Sequence, residues 1–138
     1  MTMAFETSLN APYDETIERV TSALKAEGFG VLTRIDVHAT LKEKLGIEFR
    51  PYAILGACNP ALAHRALLSN PLVGLLLPCN VTVEATPNGH VVVRIADPDA
   101  MLQTGGLTTD QGLRDVAHEA RARLARVAES LRHREAAA

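Results

Sequence analysis

Apolar residues recur along this chain with two periods, and the switches between them predict its elements. Met3, Phe5, Thr7 and Leu9 fall on one side of an alternating segment, which predicts a first strand over Thr2 to Leu9. Asn10-Ala11-Pro12 interrupts it. Tyr13, Ile17, Val20 and Leu24 then recur at helical spacing. Asp14, Glu15 and Glu18 lie early and Lys25 late, the polarity that suits a helix dipole. Gly28 is the expected C-terminal stop, so a helix is predicted from Pro12 to Glu27.

Phe29, Val31, Thr33, Ile35 and Val37 alternate again and predict a second strand over Phe29 to Val37. A short helix follows from His38 to Leu45, with Leu41 and Leu45 as its apolar pair and Gly46 closing it. Ile47 to Ala57 supplies a third strand, pairing centrally only after Pro51, because proline has no N–H for a ladder. Asn59 and Pro60 then combine a good N-cap with a good first helical residue, and Asn70-Pro71 ends the helix they start. Leu72 to Leu77 reads as a short apolar strand segment, interrupted by Pro78-Cys79 and resumed at Val81 to Glu84. Asn88-Gly89 predicts a hairpin turn, with His90 to Ala96 as the return strand. Asp97 to Gly112 reads as a long loop, of the kind that is often functional. Val116, Ala117, Ala120, Leu124, Val127 and Leu131 mark a last helix, capped by Thr108 or Thr109. Residues 134–138 are expected to fray.

This order predicts a two-layer α/β sandwich of the α+β type: β-α-β-(short α)-β-α-β-β-α, one mixed sheet with the helices packed on one face. The chain reads as a single domain over 1–138, with its core from about residue 2 to 131. Sheet positions left uncovered would expose Val, Leu and Ile, which makes a homodimer the expected state.

Composition narrows the function. The net charge is −2 and aromatic residues are 4% with no tryptophan, so neither a phosphate-binding patch nor a base-stacking platform is expected. No apolar stretch escapes interruption by Pro, Gly or Asn for the length of a bilayer, and no leader pattern is visible. A cytoplasmic protein without nucleic-acid or membrane partners is the expectation. In that setting two cysteines are free thiols rather than a structural disulfide.

Several of these segments together resemble a known family. Thr40-Leu41-Lys42-Glu43-Lys44-Leu45-Gly46, Pro51 to Pro60 with its LGACNP run, Gly74 to Val81 with LLLPCNV, and Asp97-Pro98 are similar to the bacterial and archaeal domain of unknown function 302. The likeness runs from about Tyr13 to Leu131. It implies a compact two-layer α/β domain, usually dimeric, and carries no agreed function and no catalytic residues.

Candidate chemistry centres on Cys58 and Cys79. If their strands are neighbours, both lie at comparable ends of the sheet, where ligands bind in open α/β folds. Cys58 also precedes a capped helix N-terminus, whose dipole favours a thiolate. Asn59 and the thioether of Met101 complete a candidate ligand-binding set of Cys58, Asn59, Cys79 and Met101. The two cysteines are also the candidate soft-metal ligands. The plainer account makes both cysteines packed small hydrophobes, Asn59 only a cap and Met101 a loop anchor. The histidines do not cluster, although His38 or His64 could approach Cys58. Gly105-Gly106 lacks a P-loop lysine, and Asp97, Asp99 and Asp110 match no calcium loop.

Three functions follow: a small-ligand or soft-metal binding module with a thiol-containing site, a thiol-dependent redox or transfer enzyme using Cys58 with Cys79 as resolving thiol, or a structural dimerisation domain. The first ranks highest because no general base or oxyanion arrangement is visible. Ligand and cofactor identity are not legible.

Overall fold

The computed structural model describes residues 2–137, and of residues 133–137 only the backbone. The backbone of residues 134–137, part of the tail expected to fray, continues the last helix, while residue 138 and the surroundings of His133 fall outside that description. Five strands form one sheet: β1 (Ala4–Leu9), β2 (Gly30–Asp36), β3 (Tyr52–Cys58), β4 (Cys79–Ala85) and β5 (Val91–Ala96). Five α-helices accompany them: α1 (Tyr13–Ala26), α2 (Val37–Leu45), α3 (Pro60–Ser69), α4 (Pro98–Thr104) and α5 (Gln111–Ala137). A 3₁₀ turn spans Pro71–Leu76.

The sheet order is β1-β5-β4-β3-β2, and every neighbouring pair is antiparallel. The fold is thus the expected two-layer α/β sandwich, but its sheet is antiparallel throughout rather than mixed. The reason lies in the connections. Each helix between paired strands returns the chain to the end it left, so neighbouring strands run in opposite senses.

Alternation along the strands builds the core. Leu55, Val81, Val83, Val93 and Ile95 are almost wholly buried and face the helices. Against them α1 sets Ile17, Val20 and Leu24, and α5 sets Leu113, Leu124, Val127 and Leu131. The two helical stripes read from the sequence are therefore the stripes that pack. Gly28 closes α1 as expected. At φ +84° its N–H donates to Lys25 O at 3.0 Å, while Phe29 N–H donates to Leu24 O at 2.9 Å, the double closure of a Schellman motif.

The other face of the sheet differs from expectation. Most Val and Leu side chains point into the core, and the middle of the open face is polar. There Glu84 accepts from Arg50 Nε at 2.5 Å and from Arg94 Nη1 at 2.7 Å, and Arg94 also lies 3.7 Å from Glu6. Two guanidinium donors hold the Glu84 carboxyl below its usual range, the Arg94 bond contributing most.

Four local expectations are corrected. In β2 a bulge between Val31 and Thr33 breaks the alternation, and Val37 belongs to α2. The apolar pair Leu41 and Leu45 lies outside the core, since α2 buries no residue. Leu72 to Leu77 is not a strand: Asn70 caps the turn there by accepting from Leu72 N–H at 3.0 Å, with Pro71 at its start, and a cis peptide joins Leu77 to Pro78. The long segment from Asp97 is not a loop either. Asp97 Oδ1 caps α4, accepting from Asp99 N–H at 2.9 Å, and Asp110, not a threonine, caps α5 by accepting from Leu113 N–H at 3.0 Å.

The arginines of α5 do more than face water. Arg121 reaches Asp97, while Arg123 donates to the Glu27 carbonyl at 3.2 Å and Arg126 to its carboxylate. They tie the last helix to α4 and to the end of α1.

Candidate functional site

Strands β3 and β4 are neighbours, and Ala57 lies opposite Cys79. The two cysteines therefore occupy the same end of adjacent strands, where β3 finishes and β4 begins. Both are free. Strict alternation sends the Cys58 side chain to the face opposite Cys79, because Cys58 is one step beyond Ala57 and pairs with Gly30 instead. The strand stops at Cys58, however, and both residues contribute to the wall of one cavity.

That cavity has a volume of about 270 Å³ and lies between the strand ends and the helices α3, α4 and α5. Ala57, Cys58, Cys79 and Asn80 form its strand side. Leu62 and Ala66 of α3 and Val116 and Ala120 of α5 form its helical side. Leu76 borders it from the 3₁₀ turn and Met101 from α4. All four residues expected from sequence to bind a ligand, Cys58, Asn59, Cys79 and Met101, thus border one space.

Each is positioned by a local device. Asn59 is the N-cap of α3, and its Oδ1 accepts from Leu62 N–H at 3.2 Å. Proline at the next position lacks the N–H that the first helical turn cannot satisfy. Met101 comes to the wall because the Asp97 cap turns this stretch into a helix. Gly56 keeps the strand end tight: a Cβ there would stand 2.2 Å from Thr33 Oγ1 and 2.8 Å from Pro78 Cγ. Gly28 plays a similar part beside Asn59, since a Cβ on it would lie 2.9 Å from Asn59 Nδ2.

The chemistry of the two thiols is not symmetrical. Burial pushes the Cys79 thiol up to about 11, with a smaller push in the same direction from Cys58. At neutral pH Cys79 is a neutral thiol. As a resolving thiol it reacts slowly, and as a metal ligand it must first lose a proton at a cost. No group of three or more His, Cys, Asp or Glu that could hold a metal ion occurs among the described residues. A soft ion at the cysteines would have two thiols, one of them hard to ionise, and the Met101 thioether.

None of the described histidines lines this cavity. His38 Nδ1 accepts from Tyr52 N–H at 3.0 Å, at the far end of β3. Six residues of extended strand separate it from Cys58, roughly 20 Å. His64 is exposed on α3, and His118 lies 3.8 Å from Asp99 on the outer side of α5.

Sequence reasoning missed Asn80 and the walls that α3 and α5 contribute to the site. The Asp97-Pro98 pair carried the same cap-then-proline signal as Asn59-Pro60 and could have revealed α4. Nothing local in sequence could have told that α3 and α5 close over the strand ends.

Comparison with known proteins agrees with this architecture. The model of the family described as "Domain of unknown function DUF302" matches residues 5–131. The chain belongs to the DUF302 family. A crystal structure described as that of an uncharacterised conserved DUF302 protein from Bacillus stearothermophilus is similar to this chain at a TM-score of 0.83 and 35% identity. The match covers 94% of this chain and 98% of the other. No curated protein matches. The DUF302 fold is therefore shared over nearly the whole chain, and no helix among the described residues is long and apolar enough to cross a membrane.

Proposed function

We propose that this DUF302 domain is a binding module for a small molecule, held in the cavity at the β3–β4 end of the sheet. The observation that carries this reading is the cavity itself, walled by apolar side chains with Cys58, Asn59, Cys79 and Asn80 gathered along its strand side. An apolar space with a few convergent polar groups is the usual form of a ligand site, although typical sites are larger, about 300–1,000 Å³. An engineered dry cavity of about 150 Å³ accepts benzene. A volume of about 270 Å³ accordingly suits a ligand of modest size. Its dissociation constant should be of the order of 0.1–1 mM, given the binding energy available per atom.

The methionines provide a direct test. With ¹³C-methyl methionine, toluene should shift the Met101 resonance saturably and leave Met3, which is 66% exposed, unmoved. Ala63→Leu, which fills the cavity from α3, should remove the effect. Equal movement of Met3 and Met101, or no movement of either, refutes the reading.

A thiol-dependent enzyme or a metal module ranks lower, because Cys79 is held protonated and, among the described residues, no third ionisable ligand joins the cysteines. Association with a second copy of the chain is supported by a different observation. β2 is an edge strand, and Leu32 and Ile35 stand 68% and 49% exposed on it. Light scattering at micromolar concentration should give a dimer mass, and Leu32→Lys should shift it to monomer. A monomer mass for the unmodified chain removes this part of the proposal.

A further inference from the structure

Among the described residues, the cavity wall contains no Asp, Glu, Lys, Arg or His. The charges nearest to it are engaged elsewhere. Asp97 precedes the wall residue Pro98, but its carboxylate caps α4 and accepts from Arg121 Nε at 2.9 Å. Arg65 of α3 turns outward to Glu119, which also meets Arg123. Nothing on the wall can balance an ion brought in from water, and an unpaired buried charge is strongly disfavoured.

The polar residues on the wall are uncharged as well. Asn59 uses its side-chain oxygen to cap Leu62, and its NH₂ packs beside Gly28, where a Cβ would stand 2.9 Å from it. Cys79 is a neutral thiol, and Asn80 adds an uncharged amide.

Resting on the binding reading above, we infer that the ligand is an uncharged molecule with a short apolar body and one polar end, such as a small alcohol, aldehyde, ketone or amide. The polar end lies against the Cys58-Asn59 and Cys79-Asn80 strand ends. The apolar body points toward Leu62 of α3 and Val116 of α5. Carboxylates, phosphates and amines are excluded by the uncharged wall.

A panel built on one six-carbon skeleton tests this at pH 7, read by the Met101 methyl resonance and by thermal denaturation. Hexanamide and 1-hexanol should saturate the site, with hexanoate and hexylammonium at least tenfold weaker. The terminal methyl should show magnetisation transfer to Val116. Charged members binding as tightly as the neutral ones would overturn the inference while leaving the cavity a binding site. If no member of the panel, charged or neutral, perturbs Met101, the binding reading falls and the ligand class falls with it.

Discussion

Arg121 on α5 donates its Nε–H to Asp97 Oδ2 at 2.9 Å, while the other oxygen of the same carboxylate caps α4. One buried side chain thus starts the helix that carries Met101 to the cavity and fastens that helix to α5. Pro98 and Met101, which border the cavity, sit on the helix that this carboxylate caps.

Replacing it should show both roles. Asp97→Ala is expected to cost about 2–3 kcal/mol in urea denaturation, the sum of a lost cap and a lost charged hydrogen bond. Asp97→Asn keeps an oxygen for the cap and should cost clearly less. Both should weaken hexanamide binding, and Asp97→Ala more. Equal losses for the two variants would mean that capping is not what holds α4.

The Cys79 thiol gives the fold an alkaline dependence. Its folded value is raised from 9.0 to about 11, so between these limits the unfolded chain gives up this proton first. The unfolded state then binds fewer protons than the folded state, and stability falls as pH rises through that window. The loss should reach the order of 2 kcal/mol by pH 11. It should be absent from Cys79→Ala when the two proteins are compared at pH 8, 9.5 and 11. At pH 8, iodoacetamide should label Cys58 well before Cys79. Parallel pH curves for the two proteins would contradict this account.

Gly56 meets Thr33 across the β2–β3 pair. A methyl group at Gly56 would crowd Thr33 Oγ1 and Pro78, so Gly56→Ala should destabilise by about 1–3 kcal/mol. Adding Thr33→Ala removes the nearer obstacle and should restore part of that loss. The coupling energy from the double-mutant cycle measures it. A coupling of zero would leave Pro78 as the sole source of the strain.

The sequence by itself determined the helices with strong periodicity, the strand positions, the Asn88-Gly89 hairpin and the family. Those features are written in local signals: an apolar stripe such as Ile17, Val20 and Leu24, a positive-φ glycine at Gly28, a capping Asn59 followed by proline. Its failures were also local. Leu72 to Leu77 is apolar enough for a strand, but Asn70-Pro71 starts a 3₁₀ turn there, and short apolar runs do not reveal their period. Asp97 to Gly112 has the length and composition of a loop, although Asp97-Pro98 starts a helix there. Tertiary structure alone decided that the sheet is antiparallel, that Ala57 stands opposite Cys79, and that α3, α4 and α5 close over those strand ends. Register and layer packing arise from contacts between residues far apart in the chain, which no local pattern encodes. So the sequence could nominate Cys58, Asn59, Cys79 and Met101, but only the packed fold placed them around one uncharged cavity.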